Sequence, residues 1–176
     1  MKLMFASDIH GSKYWCQKMM ERFFAERPQR LVLLGDLLYH GPRNDLPKEY
    51  DPKGVIALLN SIKENIIAVR GNCDAEVDQM VLEFPIMADF APILLEDGRL
   101  LYCTHGHIYH NDKLPPLQDG DLLMNGHTHV YDNRDMGKYR YLNPGSVSLP
   151  KEDCVNSYMI YHDGTFTLKD MDGNLL

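Results

Sequence analysis

The sequence predicts an α/β fold in which two mixed β-sheets pack face to face, with helices outside them. In the first half, apolar runs of five or six residues alternate with longer segments of helical period, a pattern typical of parallel strands joined by helices. In the second half, short apolar strands follow one another with turn residues between them. We expect one domain over residues 1–176, because a chain near this length buries about 70% of its unfolded surface in a single core.

The first half contains three predicted strands and two predicted helices. Their expected bounds, in chain order, are Lys2–Ala6 (strand), Tyr14–Ala25 (helix), Arg30–Leu34 (strand), Pro52 to about Ile62 (helix) and Asn65–Val69 (strand). Ser12 is a suitable N-cap for the first helix, whose apolar residues recur on one face, and proline is favoured in the first turn of the second. Strands separated by helices of this length indicate right-handed crossovers and a parallel sheet.

The second half is predicted to be rich in β-strands. The expected strands are Ile86–Leu95, Arg99–Thr104, Asp121–Asn125, Val130–Arg134, Tyr139–Leu142, Ser157–His162 and Thr165–Asp170. Turn residues separate the first two strands at Glu96-Asp97-Gly98, and Asp163-Gly164 between the last two is a strong hairpin pattern.

Composition and charge exclude several classes of protein. The net charge of −7 lacks the basic footprint that phosphate neutralisation needs, so stable nucleic-acid binding is not expected. The four cysteines form no C-x-x-C pair, which favours reduced thiols in a cytoplasmic protein. No apolar run approaches the ~18–20 residues that cross a bilayer, and the apolar N-terminus is interrupted by Ser7 and Asp8, as expected of a strand rather than a signal peptide.

Polar residues cluster in five places where predicted strands end. These clusters are Ser7–Gly11, Gly35–Gly41, Arg70–Asp74, Thr104–His107 and Gly126–His129. Because the carboxyl ends of parallel strands share one edge of a sheet, the five loops should converge on one crevice. A single Asp-x-His or His-x-His pattern often arises by chance, but five such clusters at strand ends favour a common site.

The shared chemistry that these clusters predict is a two-metal centre. Seven side chains are candidate ligands: Asp8, His10, Asp36, Asn72, His105, His127 and His129. Four imidazoles favour two divalent transition-metal ions over Mg²⁺ or Ca²⁺, and Mn²⁺, Fe, Zn²⁺, Co²⁺ and Ni²⁺ all suit this set of donors. A carboxylate can bridge two ions through its two oxygens. Two dications, two aspartates and one hydroxide leave a local charge of about +1, which suits a small anionic phosphate ester.

The order and spacing of these motifs resemble the calcineurin-like metallophosphoesterases. The matching segments are Asp8-x-His10, Gly35-Asp36, Gly71-Asn72, His105 and Gly126-His127-x-His129. Gly71-Asn72-Cys73-Asp74, Thr104-His105-Gly106-His107, Gly126-His127-Thr128-His129 and Asn143-Pro144-Gly145-Ser146 look like the YfcE-type phosphodiesterases. The resemblance covers nearly the whole chain, and it implies a four-layer α/β/β/α sandwich.

The resemblance also implies a role for each ligand. One metal would be held by Asp8, His10, Asp36 and His129, and the other by Asp36, Asn72, His105 and His127, so that Asp36 is the bridge. It further implies that a metal-bridging hydroxide attacks the phosphorus of a small phosphodiester. Asn72, Cys73, Asp74 and His107 are the candidate catalytic residues.

One position departs from the family pattern. Many relatives carry histidine where this chain has Cys73, and that histidine is thought to protonate the leaving group. A thiol near a dication should tend towards thiolate, which cannot donate a proton. We therefore expect weak general-acid assistance, or assistance from His107 or metal-bound water, and a preference for esters with good leaving groups.

Other functions remain open at this stage. The alternatives are a phosphomonoesterase or nucleotide phosphohydrolase of the same fold, a non-catalytic metal-binding scaffold, and a structural zinc protein. Seven competent ligand side chains from distant segments argue against the last two. The expected partner is a small phosphate-ester substrate. A homo-oligomer is an additional option, because Ile86, Met87, Phe90 and Ile93 could pair with a second copy or cover the core.

Overall fold

The computed structural model describes all 176 residues as ten strands and three α-helices. The helices are α1 (Lys13–Glu26), α2 (Pro52–Asn60) and α3 (Glu76–Gln79), and one 3₁₀ turn covers Lys63–Asn65. The strands are β1 (Lys2–Ala6), β2 (Arg30–Leu33), β3 (Ile66–Ala68), β4 (Ala91–Leu94), β5 (Leu100–Cys103), β6 (Leu122–Met124), β7 (Asp132–Asp135), β8 (Arg140–Asn143), β9 (Ser157–His162) and β10 (Thr165–Asp170).

The strands form two five-stranded mixed sheets, as the sequence predicts. The first sheet has the order β10-β9-β1-β2-β3, in which β1, β2 and β3 are parallel and β9 runs antiparallel to β1 and β10. The second has the order β4-β5-β6-β8-β7, with β5, β6 and β8 parallel and an antiparallel strand at each edge. Both the α/β class and the pair of mixed sheets are confirmed.

Successive side chains of β1 point to opposite faces of the first sheet and so belong to two different hydrophobic cores. Met4 and Ala6 face the core that contains the apolar faces of α1 and α2, whereas Leu3 and Phe5 face the core shared with β5, β6 and β8 of the second sheet. The helical layer therefore covers the first sheet. No helix follows Gln79, and a small cluster around Leu123, with loop residue Leu117, covers the outer face of the second sheet. The long connection before β6 contains prolines and glycines, which oppose helix formation.

Local chemistry explains most element boundaries. The Ser12 hydroxyl accepts the Trp15 N–H at the start of α1, and Asp51 accepts the Gly54 N–H at the start of α2. Asp163 and Gly164 both have positive φ, which matches the tight turn predicted between β9 and β10. The predicted strand Ile86–Leu95 begins only at Ala91, and its Pro92 is accommodated because β4 is an edge strand.

The topology brings one end of five strands to a single region. One of the predicted polar clusters follows each of β1, β2, β3, β5 and β6, either directly or after one residue. None of the helices is both long and apolar enough to pass through a membrane.

Candidate metal centre

All seven predicted ligand side chains lie in one cluster at these strand ends. Asp8 is fully buried, and its Oδ2 accepts the backbone N–H of His127 at 3.0 Å across 119 positions of sequence. His105 lies on the other side of the cluster, where its Nε2 is 3.5 Å from Asp36 Oδ2. The five loops therefore converge as the sequence predicts.

The first group of side chains consists of Asp8, His10 and His129. Asp8 Oδ1 is 3.5 Å from His10 Nε2 and 3.2 Å from His129 Nε2, and the two Nε2 atoms are 3.2 Å apart. These three ligand atoms surround a space of the size that one cation would occupy.

The second group consists of Asn72, His105 and His127. His105 Nε2 is 3.0 Å from Asn72 Oδ1 and 3.2 Å from His127 Nδ1. Amide oxygen and imidazole nitrogen are both suitable ligands for a divalent transition-metal ion.

Asp36 lies between the two groups, and its two oxygens differ. Oδ2 is 3.7 Å from His10 Nε2 and 3.5 Å from His105 Nε2, whereas Oδ1 accepts the Cys73 N–H at 2.8 Å. Oδ2 alone thus faces both groups. Asp36 would therefore present the same oxygen, Oδ2, to a cation held in either group.

The tautomers of three histidines can be deduced from their backbone partners. The Nδ1 atoms of His10, His105 and His129 lie 2.5–2.7 Å from the carbonyl oxygens of Tyr39, Leu34 and Leu149. Because a carbonyl can only accept, each Nδ1 carries the proton, and each neutral ring turns an Nε2 lone pair towards the cluster. Such a tautomer is the one that binds a metal through Nε2.

Without a cation these lone pairs would repel one another. The two facing Nε2 atoms of His10 and His129 have no proton to share in the neutral rings, and Asp8 Oδ1 is buried with no hydrogen-bond donor. Buried acceptors without donors are destabilising unless a positive charge lies among them. The donor set therefore fits divalent metal ions.

Backbone strain is concentrated at the same positions. Asp8, His10, Asp36, His127 and His129 all have φ between 49° and 66°, and they account for five of the nine non-glycine residues with positive φ. Such conformations cost about 1–3 kcal/mol each and cluster at functional sites. The buried residues Ser146 and Ser148 stabilise the conformation of Asp8, because both hydroxyls donate to the Asp8 carbonyl at 2.9 and 3.0 Å.

Two glycines of the predicted motifs permit close approach of the loops. A Cβ atom at position 71 would lie 2.1 Å from Asp36 Oδ1, and one at position 126 would lie 1.9 Å from the Ser7 hydroxyl. Any side chain at either position would push Asp36 or the Ser7–Asp8 segment out of place.

The electrostatics of the cluster favour a positive charge. Burial alone would raise the pKa of Asp8, but His10 and His129 outweigh it and hold that pKa well below its usual value. Burial alone would lower the pKa of His105, but the carboxylates of Asp36 and Asp8 raise it to about 9. The carboxylates stabilise cations in this position, whether these are protons or metal ions.

The predicted catalytic residue Asp74 does not face the open cavity. It is buried, and its carboxylate accepts three backbone N–H groups, those of Asp36, Leu37 and Gly71, each at 2.8 Å. Burial raises the pKa of Asp74, and these N–H groups oppose the shift. Asp74 thus joins the Asp36 loop to the Gly71-Asn72 loop through hydrogen bonds. From this place it can hold the candidate ligands Asp36 and Asn72 in position, but it does not face a substrate in the cavity.

Cys73 and His107 differ in their relation to the cavity. Cys73 is half-buried in the cavity wall, where burial, followed by the carboxylates of Asp36, Asp74 and Asp8, raises its pKa to about 12. The protein's own charges therefore favour the thiol, the opposite of the effect expected from a dication. The His107 ring lies 5.4 Å from the His105 ring, its Nδ1 has no hydrogen-bond partner, and burial lowers its pKa.

The cavity over the cluster has a volume of about 390 Å³. Four of the expected ligands and Cys73 line it, and its other polar lining residues are Arg43, Asn44, Thr128 and Lys151. Lys151 was not predicted from the sequence. Its backbone N–H donates to the His129 carbonyl, a contact between distant loops that no local pattern reveals.

Comparison with known proteins identifies relatives across the whole chain. A family model described as the calcineurin-like phosphoesterase superfamily domain matches residues 1–164. Phosphodiesterase YfcE of Escherichia coli strain K12 is 51% identical over 158 residues, which cover 90% of this chain and 85% of that protein. A solved structure of YfcE, described as a phosphoesterase from E. coli, matches with a TM-score of 0.97 and 45% identity, covering 100% of this chain and 97% of that one. An archaeal phosphodiesterase, at 24% identity, has the same fold with a TM-score of 0.67 over 96% of this chain and 98% of its own.

Proposed function

The chain belongs to the calcineurin-like phosphoesterase superfamily, and we propose that it is a metal-dependent phosphodiesterase acting on small phosphate diesters. This membership confirms the predicted resemblance to the calcineurin-like metallophosphoesterases, from which the function was inferred. The observation that carries the proposal is the position of Asp36 Oδ2, which faces imidazoles of both ligand groups.

We propose two divalent transition-metal ions as cofactors, with Mn²⁺ as the first choice. The first would be held by Asp8, His10, Asp36 and His129, and the second by Asp36, Asn72, His105 and His127. The mixed set of imidazole, carboxylate and amide donors supports Mn²⁺, Zn²⁺, Ni²⁺, Fe or Co²⁺ over ions that prefer oxygen alone. When bound, such ions would supply a hydroxide near neutral pH and would place positive charge next to the phosphoryl oxygens of the substrate.

The chain's own residues would bind and orient the substrate. The Asn72 side chain is exposed at the cavity surface, so its amide N–H can donate to a phosphoryl oxygen while Oδ1 faces His105. Arg43 and Lys151 add positive charge to the cavity wall, which attracts an anionic ester to an otherwise acidic protein. Asp74 would act indirectly by fixing the Asp36 and Asn72 loops.

Protonation of the leaving group would be weak. If Cys73 gave up its proton, a thiolate would remain beside Asp36, Asp74 and Asp8, whose charges oppose it. His107 does not line the cavity over the cluster, and its lowered pKa leaves it mostly neutral near pH 7. We therefore keep the expectation that esters with acidic alcohols, which need little protonation, are the better substrates.

Two further features follow from composition. The four cysteines are free thiols, and Cys16 and Cys103 are buried, which supports a reducing, cytoplasmic location. The net charge of −7 supports a small ester rather than nucleic acid as the substrate.

The decisive experiment measures metal content and hydrolysis together. The metal-stripped protein would be reconstituted with Mn²⁺, Ni²⁺, Zn²⁺ or Mg²⁺ in turn and assayed with bis(p-nitrophenyl) phosphate and p-nitrophenyl phosphate. We expect two ions per chain and hydrolysis of the diester in preference to the monoester. A protein that binds two ions and hydrolyses neither ester would favour the scaffold, and a preference for the monoester would favour a phosphomonoesterase.

A further inference from the structure

An open apolar groove of about 420 Å³ lies beside the metal centre. Aromatic and aliphatic side chains line it, including Tyr39, Tyr50, Ile56, Val77 and Val81. Val77 is 63% exposed and Val81 42% exposed, so the groove presents apolar surface to water. Exposed apolar surface is unfavourable in water, and a contiguous apolar patch next to a catalytic site is typical of a binding surface.

The groove adjoins the cavity over the metal centre at Cys73. Cys73 lines both spaces, and the Asn72 amide lies 3.3 Å from its Sγ. Tyr39 also lines the groove, and its carbonyl accepts the proton on His10 Nδ1 at 2.7 Å, so the groove wall is joined to the ligand cluster. A phosphate held at the expected ligands would therefore place one of its ester groups next to the groove.

The two walls around that phosphate differ in chemistry. The cavity wall with Arg43, Asn44, Thr128 and Lys151 is polar and carries positive charge. The groove contains one charged residue, Asp78, and a carboxylate oxygen of Asp78 already accepts the Ala75 N–H at 2.9 Å. An apolar ester group would find more apolar surface to pack against on the groove side, because the cavity lining includes only one hydrophobic residue.

The groove is also held in shape before any ligand arrives. The rings of Tyr39, His40 and Tyr50 form an edge-to-face series with centroids 4.8 and 5.2 Å apart. The segment before Tyr50 is tied to α1, because the Lys13 N–H donates to the Glu49 carbonyl at 3.0 Å. A preformed apolar surface costs little conformational entropy when it binds.

We propose that the apolar groove is a subsite for an aromatic or aliphatic ester group of the phosphodiester, bound while the phosphate lies at the metal centre. This inference rests on the phosphodiesterase function proposed above. It specifies the substrate class as diesters that carry at least one apolar alcohol.

The test uses two chromogenic diesters and two surface variants. Phenyl p-nitrophenyl phosphate and methyl p-nitrophenyl phosphate share a leaving group and a charge, and differ only in the group retained on phosphorus. Val77→Ser/Val81→Ser makes the groove polar, and Met80→Ser is the matched control, because Met80 is 83% exposed in the same segment but does not line the groove. Equal metal content and melting temperature would show that the variants are intact.

We expect the wild type to prefer the phenyl ester and the double variant to raise KM for it by about three- to tenfold, because serine offers the phenyl ring less apolar surface than valine. If the groove holds the retained group, the methyl ester keeps its KM; if it holds the p-nitrophenyl group, KM rises for both esters. Met80→Ser should match the wild type. Unchanged KM values in the double variant would overturn the subsite, whereas a wild type that hydrolyses neither ester with any metal would overturn the proposed function itself.

A binding measurement provides a readout that does not depend on turnover. In protein loaded with diamagnetic Zn²⁺, phenylphosphonate should shift the methyl resonances of Ile56, Val77 and Val81, and methylphosphonate should not. Shifts confined to residues of the cavity wall, such as Thr128, would place the phenyl group outside the groove and refute the proposal.

Discussion

Replacement of Asp74 by asparagine should weaken metal binding even though Asp74 is not one of the expected ligands. Its Oδ2 accepts the N–H groups of Asp36 and Gly71, and its Oδ1 accepts that of Leu37, each at 2.8 Å. In Asp74→Asn the amide oxygen can keep the first two bonds, but the new NH₂ group must then face the Leu37 N–H. The substitution preserves shape and places a donor against a donor.

The size of the effect follows from these three contacts. One buried N–H without an acceptor costs about 1–3 kcal/mol, and the two remaining bonds lose the assistance of a negative charge, so we expect a destabilisation of about 2–4 kcal/mol. The Leu37 N–H lies next to Asp36, so the unpaired donor should displace the carboxylate that we expect to bridge the two ions. Removing a group that orients metal ligands usually lowers metal affinity by about 10- to 100-fold.

The chain offers a matched control for this prediction. Asp121 is also buried and accepts two backbone N–H groups, those of Leu100 and Gln118, at 2.8 Å, but it lies at the opposite ends of the strands from the metal centre. Urea unfolding should show that Asp121→Asn and Asp74→Asn both reduce stability, while calorimetric titration with Mn²⁺ should show weaker binding only for Asp74→Asn. Wild-type affinity in Asp74→Asn would refute the reasoning.

Three further predictions concern the metal bridge, the leaving group and stability in acid. Asp36→Ala should reduce the bound metal to at most one ion per chain, as measured by plasma mass spectrometry, because Oδ2 faces both ligand groups; two retained ions would exclude a bridging role. Cys73→Ala should lower turnover by less than about tenfold for esters with good and with poor leaving groups, because a thiol that protonates the leaving group only weakly contributes little to either. A decrease of orders of magnitude with both kinds of ester would contradict this expectation. Burial opposes ionisation of Glu26, but Lys169 and Lys2 outweigh it and lower its pKa from 4.5 to about 2. Since the folded pKa lies below the unfolded one, this stabilisation is complete above the unfolded value and is lost as pH falls towards the folded value. Glu26→Gln should therefore cost about 1–2 kcal/mol at pH 7, after allowance for partial exposure, and less at pH 3 in urea unfolding, whereas an equal cost at both pH values would contradict the ion-pair account.

The regular elements were predictable where local patterns were strong. Lys2–Ala6 and the final hairpin were predicted to the residue, because alternation and the Asp163-Gly164 turn are encoded by neighbours in sequence. The four-residue α3 was not predicted, since so short a helix has no periodicity to detect. The strand expected from Ile86 begins five residues later, because the Ile86 N–H is bound by the Gln79 side chain rather than by a neighbouring strand.

The candidate site was predictable in its membership but not in its geometry. All seven expected ligands came from patterns at strand ends, and the structure brings them together. Asp74 was expected to act in catalysis, yet it accepts backbone amides beneath the site, because its three partners come from two different loops. Lys151 could not be predicted, since its contact with the His129 loop arises only when the chain is folded.

The amino-acid sequence by itself determined the class of fold and the types of candidate ligand, because periodicity and donor chemistry are properties of nearby residues. The kinds of metal and substrate were predicted from those ligand types. Tertiary structure alone decided how those ligands face each other. Three backbone carbonyls select the histidine tautomers, and the Cys73 N–H leaves one oxygen of Asp36 to face both groups. It also decided that an apolar groove adjoins the cavity, since its walls come from segments far apart in the chain. Hydrogen-bond geometry of this kind exists only between segments that folding brings together, so no local pattern encodes it.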